Sequence, residues 1–258
     1  MNEFAFTKAS CPKCDNCLVH NRAICRAASQ EALEELNRIS HIRHFNKGQV
    51  IISQGDESDF VGNIISGIVK LTNMSSSGHQ QIVGLQYPSD FFGRVYAEEA
   101  RFSYEGATDV TLCCVDRHQF ESFLKRSPEV EHELLITALD ELDAMREWMA
   151  MVSCHTTMQR VAAFFYILSR RSTTRFCGAR DGLEHRVIAL PIGRRDIAAY
   201  LGTTPETLSR NIQTLVRDNV IEAIDMSHFA LLNPTELINR TGETRQDLES
   251  MTGTARVL

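Results

Sequence analysis

The chain has 258 residues, 43% hydrophobic and 23% charged, with a net charge of −6. This is ordinary globular composition, long enough for one large domain or two small ones. The longest clean apolar run, VAAFFYIL at Val161–Leu168, is far short of the roughly 20 residues a membrane span needs, so no membrane contact is expected. The opening MNEFAFTKAS lacks the basic and apolar regions of a secretion signal. A cytoplasmic protein is expected, where thiols stay reduced and serve metals or chemistry more often than disulfides.

Residues 1–28 form a cysteine-rich segment with four of the eight cysteines: Cys11, Cys14, Cys17 and Cys25. Residues 29–127 predict a β-rich domain. It opens with a short helix over 29–40, capped by Ser29, with Ala32, Leu33, Leu36 and Ile39 on one face. Short β-rich stretches follow: QVIIS, FVGNIISGIVKLTNM, HQQIVGLQY and DVTLCCVD, punctuated by Gly48, Gly55, Gly67, Gly78 and Gly84. That spacing predicts an antiparallel roll, with the SSSG tract at 75–78 as a hairpin tip.

Residues 128–153 predict one long helix, with Ser127 as cap and Pro128 in the first turn. Leu135, Ala138, Leu142, Met145, Met149 and Val152 repeat by threes and fours, a seam suited to a second copy of the chain. Ile136, Leu139 and Trp148 supply another apolar face for the chain's own packing. Seven acids lie between Glu129 and Glu147 against Arg146 alone. Eight arginines then lie between His155 and Arg195 against Asp181 and Glu184. A basic module on an acidic protein is the electrostatic footprint of a DNA binder.

Residues 154–240 predict that module, followed by a tail at 241–258. A helix over about 156–171 leads into an Arg/Gly-rich loop at 172–186. RRDIAAYLG then reads as a short helix ended by Gly202. TTPETLSRNIQTLVRDN reads as a second helix with Thr204 as cap, Pro205 in the first turn, and Leu208, Ile212 and Leu215 buried. Two helices joined by a tight glycine turn make a helix-turn-helix, and VIEAIDMSHFALLN supplies a β-wing. Glu206, Ser209, Arg210 and Gln213 are placed to reach base edges of double-stranded DNA, and Thr204 belongs to the same DNA-binding face. Arg160, Arg170 and Arg171 suit phosphate contacts. No P-loop, dinucleotide-binding glycine fingerprint, HExxH or nucleophile–base pair is present, so no enzyme is expected.

Two residues separate Cys14 from Cys17 and seven separate Cys17 from Cys25, and Cys113 or Cys114 offers a fourth thiolate. Such soft ligands suit zinc, with His20 as a further ligand, or an iron–sulfur cluster. Cys11, Cys14 and Cys17 also fit the C-x2-C-x2-C run of bacterial ferredoxins. Alternation along a strand lets only one of Cys113 and Cys114 face such a site.

Together, the α+β order of β-roll, long helix and winged helix-turn-helix with PETLSR resembles the CRP/FNR superfamily of bacterial transcription regulators, over essentially the whole chain. The cysteine plan is similar to the oxygen-sensing FNR branch, and its spacing to the alphaproteobacterial FnrL-like group. The resemblance implies a [4Fe–4S] cluster on Cys14, Cys17, Cys25 and Cys113, with Cys11 spare. It further implies a homodimer that reads a TTGAT-N4-ATCAA-type palindrome under low oxygen, and contact with RNA polymerase. Cyclic nucleotide is not expected: Gly93 is followed by Arg94 where that pocket needs Glu, and residues 103–107 hold no Arg-Ser pair. The alternative is a cluster-free regulator that senses thiol oxidation or holds structural zinc.

Overall fold

A computed structural model describes residue 14 and residues 17–74, 80–171, 175–177, 184–190 and 192–248. The chain divides into two compact units, Met1–Ala138 and Leu139–Leu258, so the division falls inside the long helix.

In the first unit, α1 (Gln30–Ile39) begins where Ser29 Oγ accepts the Ala32 N–H, and buries Ala32, Leu33 and Leu36. Eight strands follow: β1 (His41–Phe45), β2 (Val50–Ile52), β3 (Phe60–Ser66), β4 (Val69–Met74), β5 (Gln80–Gln86), β6 (Phe91–Phe92), β7 (Ser103–Gly106) and β8 (Val110–Asp116). They form two antiparallel sheets, ordered β1-β8-β3-β6 and β2-β7-β4-β5. Ile64, Phe92, Leu112 and Cys114 from the first sheet meet Ile52, Val69 and Tyr104 from the second in one core. This is the expected antiparallel roll. The expected SSSG hairpin tip lies outside the described residues. A helix that the sequence did not announce, α2 (Arg117–Leu124), is capped by Asp116 accepting the Gln119 N–H, and buries Phe120, Phe123 and Leu124.

Gly62 on β3 lies opposite Cys114 on β8. A Cβ there would sit 1.9 Å from the Cys113 carbonyl oxygen. Backbone cannot yield as a side-chain tip can. Gly62→Ala is therefore expected to part β3 from β8 and cost about 3 kcal/mol, at the upper end of overpacking penalties. Urea denaturation checks this, and a loss below about 1 kcal/mol would refute the close approach.

The long helix α3 runs Pro128–Cys154. In the second unit come α4 (Thr157–Arg171), β9 (Arg175–Cys177), β10 (Glu184–Ala189), α5 (Arg194–Tyr200), α6 (Pro205–Arg217), β11 (Ile221–Ala223), β12 (His228–Leu231) and α7 (Pro234–Thr241). The strands form one sheet, β11-β12-β10-β9. The expected loop at 172–186 therefore carries strand: β10 pairs with β12, and β9 adds at its edge. Helix α4 buries Val161–Tyr166 and Leu168. Trp148 of α3 stacks on Tyr200 of α5, with ring centroids 4.5 Å apart. No described helix is long and apolar enough to cross a membrane.

Candidate functional site

Cys14, Cys17, Cys25 and Cys113 line a single cavity of the first unit. Short-range turns bring the first three together. The Cys17 N–H donates to the Cys14 carbonyl at 3.1 Å and the His20 N–H to the Cys17 carbonyl at 3.2 Å, before a 3-10 turn at Ile24–Ala27. Cys113 arrives from β8, a strand held on both sides by β1 and β3. Apolar walls come from Val19, Ile24, Leu36, Phe91, Val115 and Phe120. Cys114 points the other way, fully buried in the roll's core among its hydrophobic neighbours. Strand alternation thus separates two adjacent thiols into two environments. Cys11 lies outside the described residues.

Burial, followed by the nearby Cys17 and Cys14, pushes the Cys25 thiol up to about 12. Burial likewise lifts Cys114 to about 12, partly opposed by Arg43. Thiolates gathered in such an apolar place need a compensating cation. Two other polar atoms of the cavity lining, His20 Nδ1 and Asn63 Oδ1, are buried without a hydrogen-bond partner. Asn63 is the register partner of Cys113. The spacing pattern had suggested His20, as a zinc ligand. It gave no sign of Asn63, which only the pairing of β3 with β8 brings to the cavity. Among the described residues no three His, Cys, Asp or Glu side chains group as one metal ion requires. A single tetrahedral zinc with Zn–S of about 2.3 Å would draw its sulfurs to roughly 3.8 Å from one another. Soft donors, apolar walls and polar atoms without partners fit a larger thiolate-held group such as an iron–sulfur cluster.

On α3, Leu135, Leu139, Leu142, Met145 and Met149 are between 44% and 66% exposed. Ala138 is exposed as well, while Val152 is half-buried, within 3.5 Å of where a Gly202 side chain would begin. Leu139, expected on the inner face, is exposed alongside the seam. Ile136 and Trp148 are half-buried.

In the second unit, α5 buries Ile197 and Ala198. The turn to α6 passes through Gly202, whose φ of +61° is the left-handed conformation that favours glycine. The Thr204 hydroxyl caps α6 by accepting the Thr207 N–H, with Pro205 in the first turn. Leu208, Ile212 and Leu215 are buried, which leaves Thr204, Glu206, Arg210 and Gln213 exposed and Ser209 half-exposed on the outer side. The Glu206 carboxyl is held below its usual range by its own backbone N–H, then by the Thr204 hydroxyl and by Arg210. Arg160, expected at a DNA phosphate, is engaged within the module itself. Its guanidinium donates to the carbonyls of His155, Leu201 and Gly202 at 2.9, 2.9 and 3.1 Å, and so fastens the turn.

A β-roll beside a thiol-lined cavity and a winged helix-turn-helix with its polar face open define a DNA-binding regulator rather than an enzyme. Comparison with known proteins makes this specific. Residues 42–127 match the cyclic nucleotide-binding domain family and residues 159–240 the Crp-like helix-turn-helix domain family. The chain is 35% identical to the transcriptional activator protein FnrL of Cereibacter sphaeroides, over 90% of this chain and 92% of that one. It is 30% identical to the nitrogen fixation regulation protein FixK of Bradyrhizobium diazoefficiens, over 87% and 92%. The solved structure of FixK2 from Bradyrhizobium japonicum superposes with a TM-score of 0.71 at 26% identity, covering 80% of this chain and 99% of that one. The chain belongs to the CRP/FNR family of transcription regulators.

Proposed function

We propose that this regulator responds to oxygen through a [4Fe–4S] cluster held by Cys14, Cys17, Cys25 and Cys113. The observation that carries the proposal is the gathering of these four thiols, from a segment and a strand about 90 residues apart, around one apolar cavity. A bound cluster would supply an oxygen-labile centre. The chain's own part is to tie residues 17–27 to β8 and to exclude water with Ile24, Phe91, Val115 and Phe120.

The exposed seam of α3 pairs with a second copy, and the acids beside it oppose that pairing. Tying the N-terminal segment therefore biases an equilibrium that is otherwise close to balance. A homodimer offers one recognition helix to each half of a TTGAT-N4-ATCAA-type palindrome. RNA polymerase is its partner at promoters, in keeping with relatives named as activators. Cyclic nucleotide is not the effector, since Arg94 follows Gly93 in place of an acid.

Iron and acid-labile sulfide per chain, measured on protein purified without oxygen, test the proposal. About four of each, with a colour that bleaches in air, is expected of the cluster. Zinc without iron would overturn it in favour of a cluster-free regulator.

Arg210, exposed in the second turn of α6, carries donors that suit two bonds to a guanine edge. Arg210→Ala is expected to cost about 1–3 kcal/mol against the cognate base and relax selectivity at that one position. Competition with operators altered one base pair at a time reads this. A uniform loss across all sequences would mark Arg210 as a phosphate contact instead.

A further inference from the structure

Arg26 directly follows the cavity-lining Cys25. Its guanidinium reaches α3, where Nε and Nη2 both lie 3.0 Å from Oε1 of Glu133. Glu133 is 8% exposed and is the only buried carboxylate among the described residues. A carboxylate in such a place needs a partner, because leaving it alone forfeits its hydration for nothing. On the other side of Cys25, Ile24 is buried in the same hydrophobic cluster as Val130, with Leu134 packed against it. Both chain neighbours of one thiol therefore grip the first turns of α3, one by apolar packing and one by charge. The exposed seam begins directly afterwards, at Leu135.

We infer that Arg26 and Glu133 are the positioning pair that carries the state of the cysteine site to the dimer seam. The inference rests on the proposed thiolate site. While Cys25 is held at the cavity, Arg26 is fixed beside Glu133 and the ordering of both side chains is already spent. Once Cys25 is released, the Ile24–Ala27 turn is held by the packing of Ile24, and Arg26 is no longer fixed beside Glu133. Glu133 then loses the ion pair that Arg26 supplies. The Thr137 hydroxyl donates to the Glu133 carbonyl at 2.8 Å, so movement of Glu133 disturbs the turn that presents Leu135 and Ala138. The seam thus loses its paired form for a reason located outside the seam.

The test uses the full chain, loaded without oxygen and then exposed to air, with dimer dissociation followed by sedimentation. Iron and sulfide are assayed on every sample. In wild type the dissociation constant is expected to rise about 100-fold on cluster loss, within the usual span of coupling energies. Arg26→Met should keep wild-type iron while the ratio falls below about 5-fold, a coupling too small to switch the seam. The double variant Arg26→Met with Glu133→Met, which leaves no buried charge behind, should do the same. The exchanged pair, Arg26→Glu with Glu133→Arg, should regain most of the ratio, which a merely structural role does not predict. A double methionine variant with wild-type iron and the wild-type ratio overturns the inference, and so does an Arg26→Met protein that cannot hold iron. Wild type without iron would instead sink the thiolate-site reading itself, and the pair's role with it.

Discussion

Cys113→Ala is expected to bring iron and labile sulfide per chain close to zero and to weaken operator binding without oxygen by about 100-fold, the scale of a strong coupling. Cys113 supplies the one thiol of the cavity that a strand holds in place. Losing it removes the strand-borne thiol through which a cluster would tie the N-terminal segment to the roll. Cys114→Ala is the matched control, since that thiol lies in the roll's core on the opposite face. It should keep full iron and differ only in stability. Cys113→Ala protein that retains iron and binds its operator as well as wild type would end the assignment.

Leu142→Ala is expected to weaken the dimer about 1000-fold. Leu142 is 44% exposed in the single chain, and pairing would cover it. Trimming leucine to alanine removes about 2 kcal/mol of apolar burial per copy. Two copies per dimer give about 4 kcal/mol, or three decades in the dissociation constant. The thermal midpoint of the monomeric form should move less than that of the dimer, because the part of Leu142 that pairing would cover is exposed within one chain. Sedimentation at graded concentrations reads the effect, and a change under about tenfold would remove Leu142 from the interface.

The parts legible in the sequence are those specified by local chemistry. The recognition helix shows itself because Thr204, Pro205 and Gly202 each satisfy a backbone need within a few residues of the place they occupy. The choice between Cys113 and Cys114 follows from strand parity alone. Other parts depend on partners far along the chain. HIRHF at β1 has no strand-like alternation, and becomes a strand because its edge pairs with β8. EHRVIA at β10 reads as a charged loop until β12 comes alongside. Arg160 reads as a phosphate contact by charge. Its acceptors, Leu201 and Gly202, lie some 40 residues away. Leu139 falls on the wrong face because one residue's turn of a helix is enough to move a side chain between packing and solvent.

The thiols of the cavity have unequal footing. Cys113 belongs to a strand bonded on both edges, whereas the only regular element holding Cys25 is a four-residue 3-10 turn. Amide protons around Cys113 should therefore open only with the whole roll, while those of residues 17–27 can open by local fraying. A site built this way couples a stiff anchor to a soft arm. With the proposed cluster in place, its signal would be a gain or loss of order in the arm.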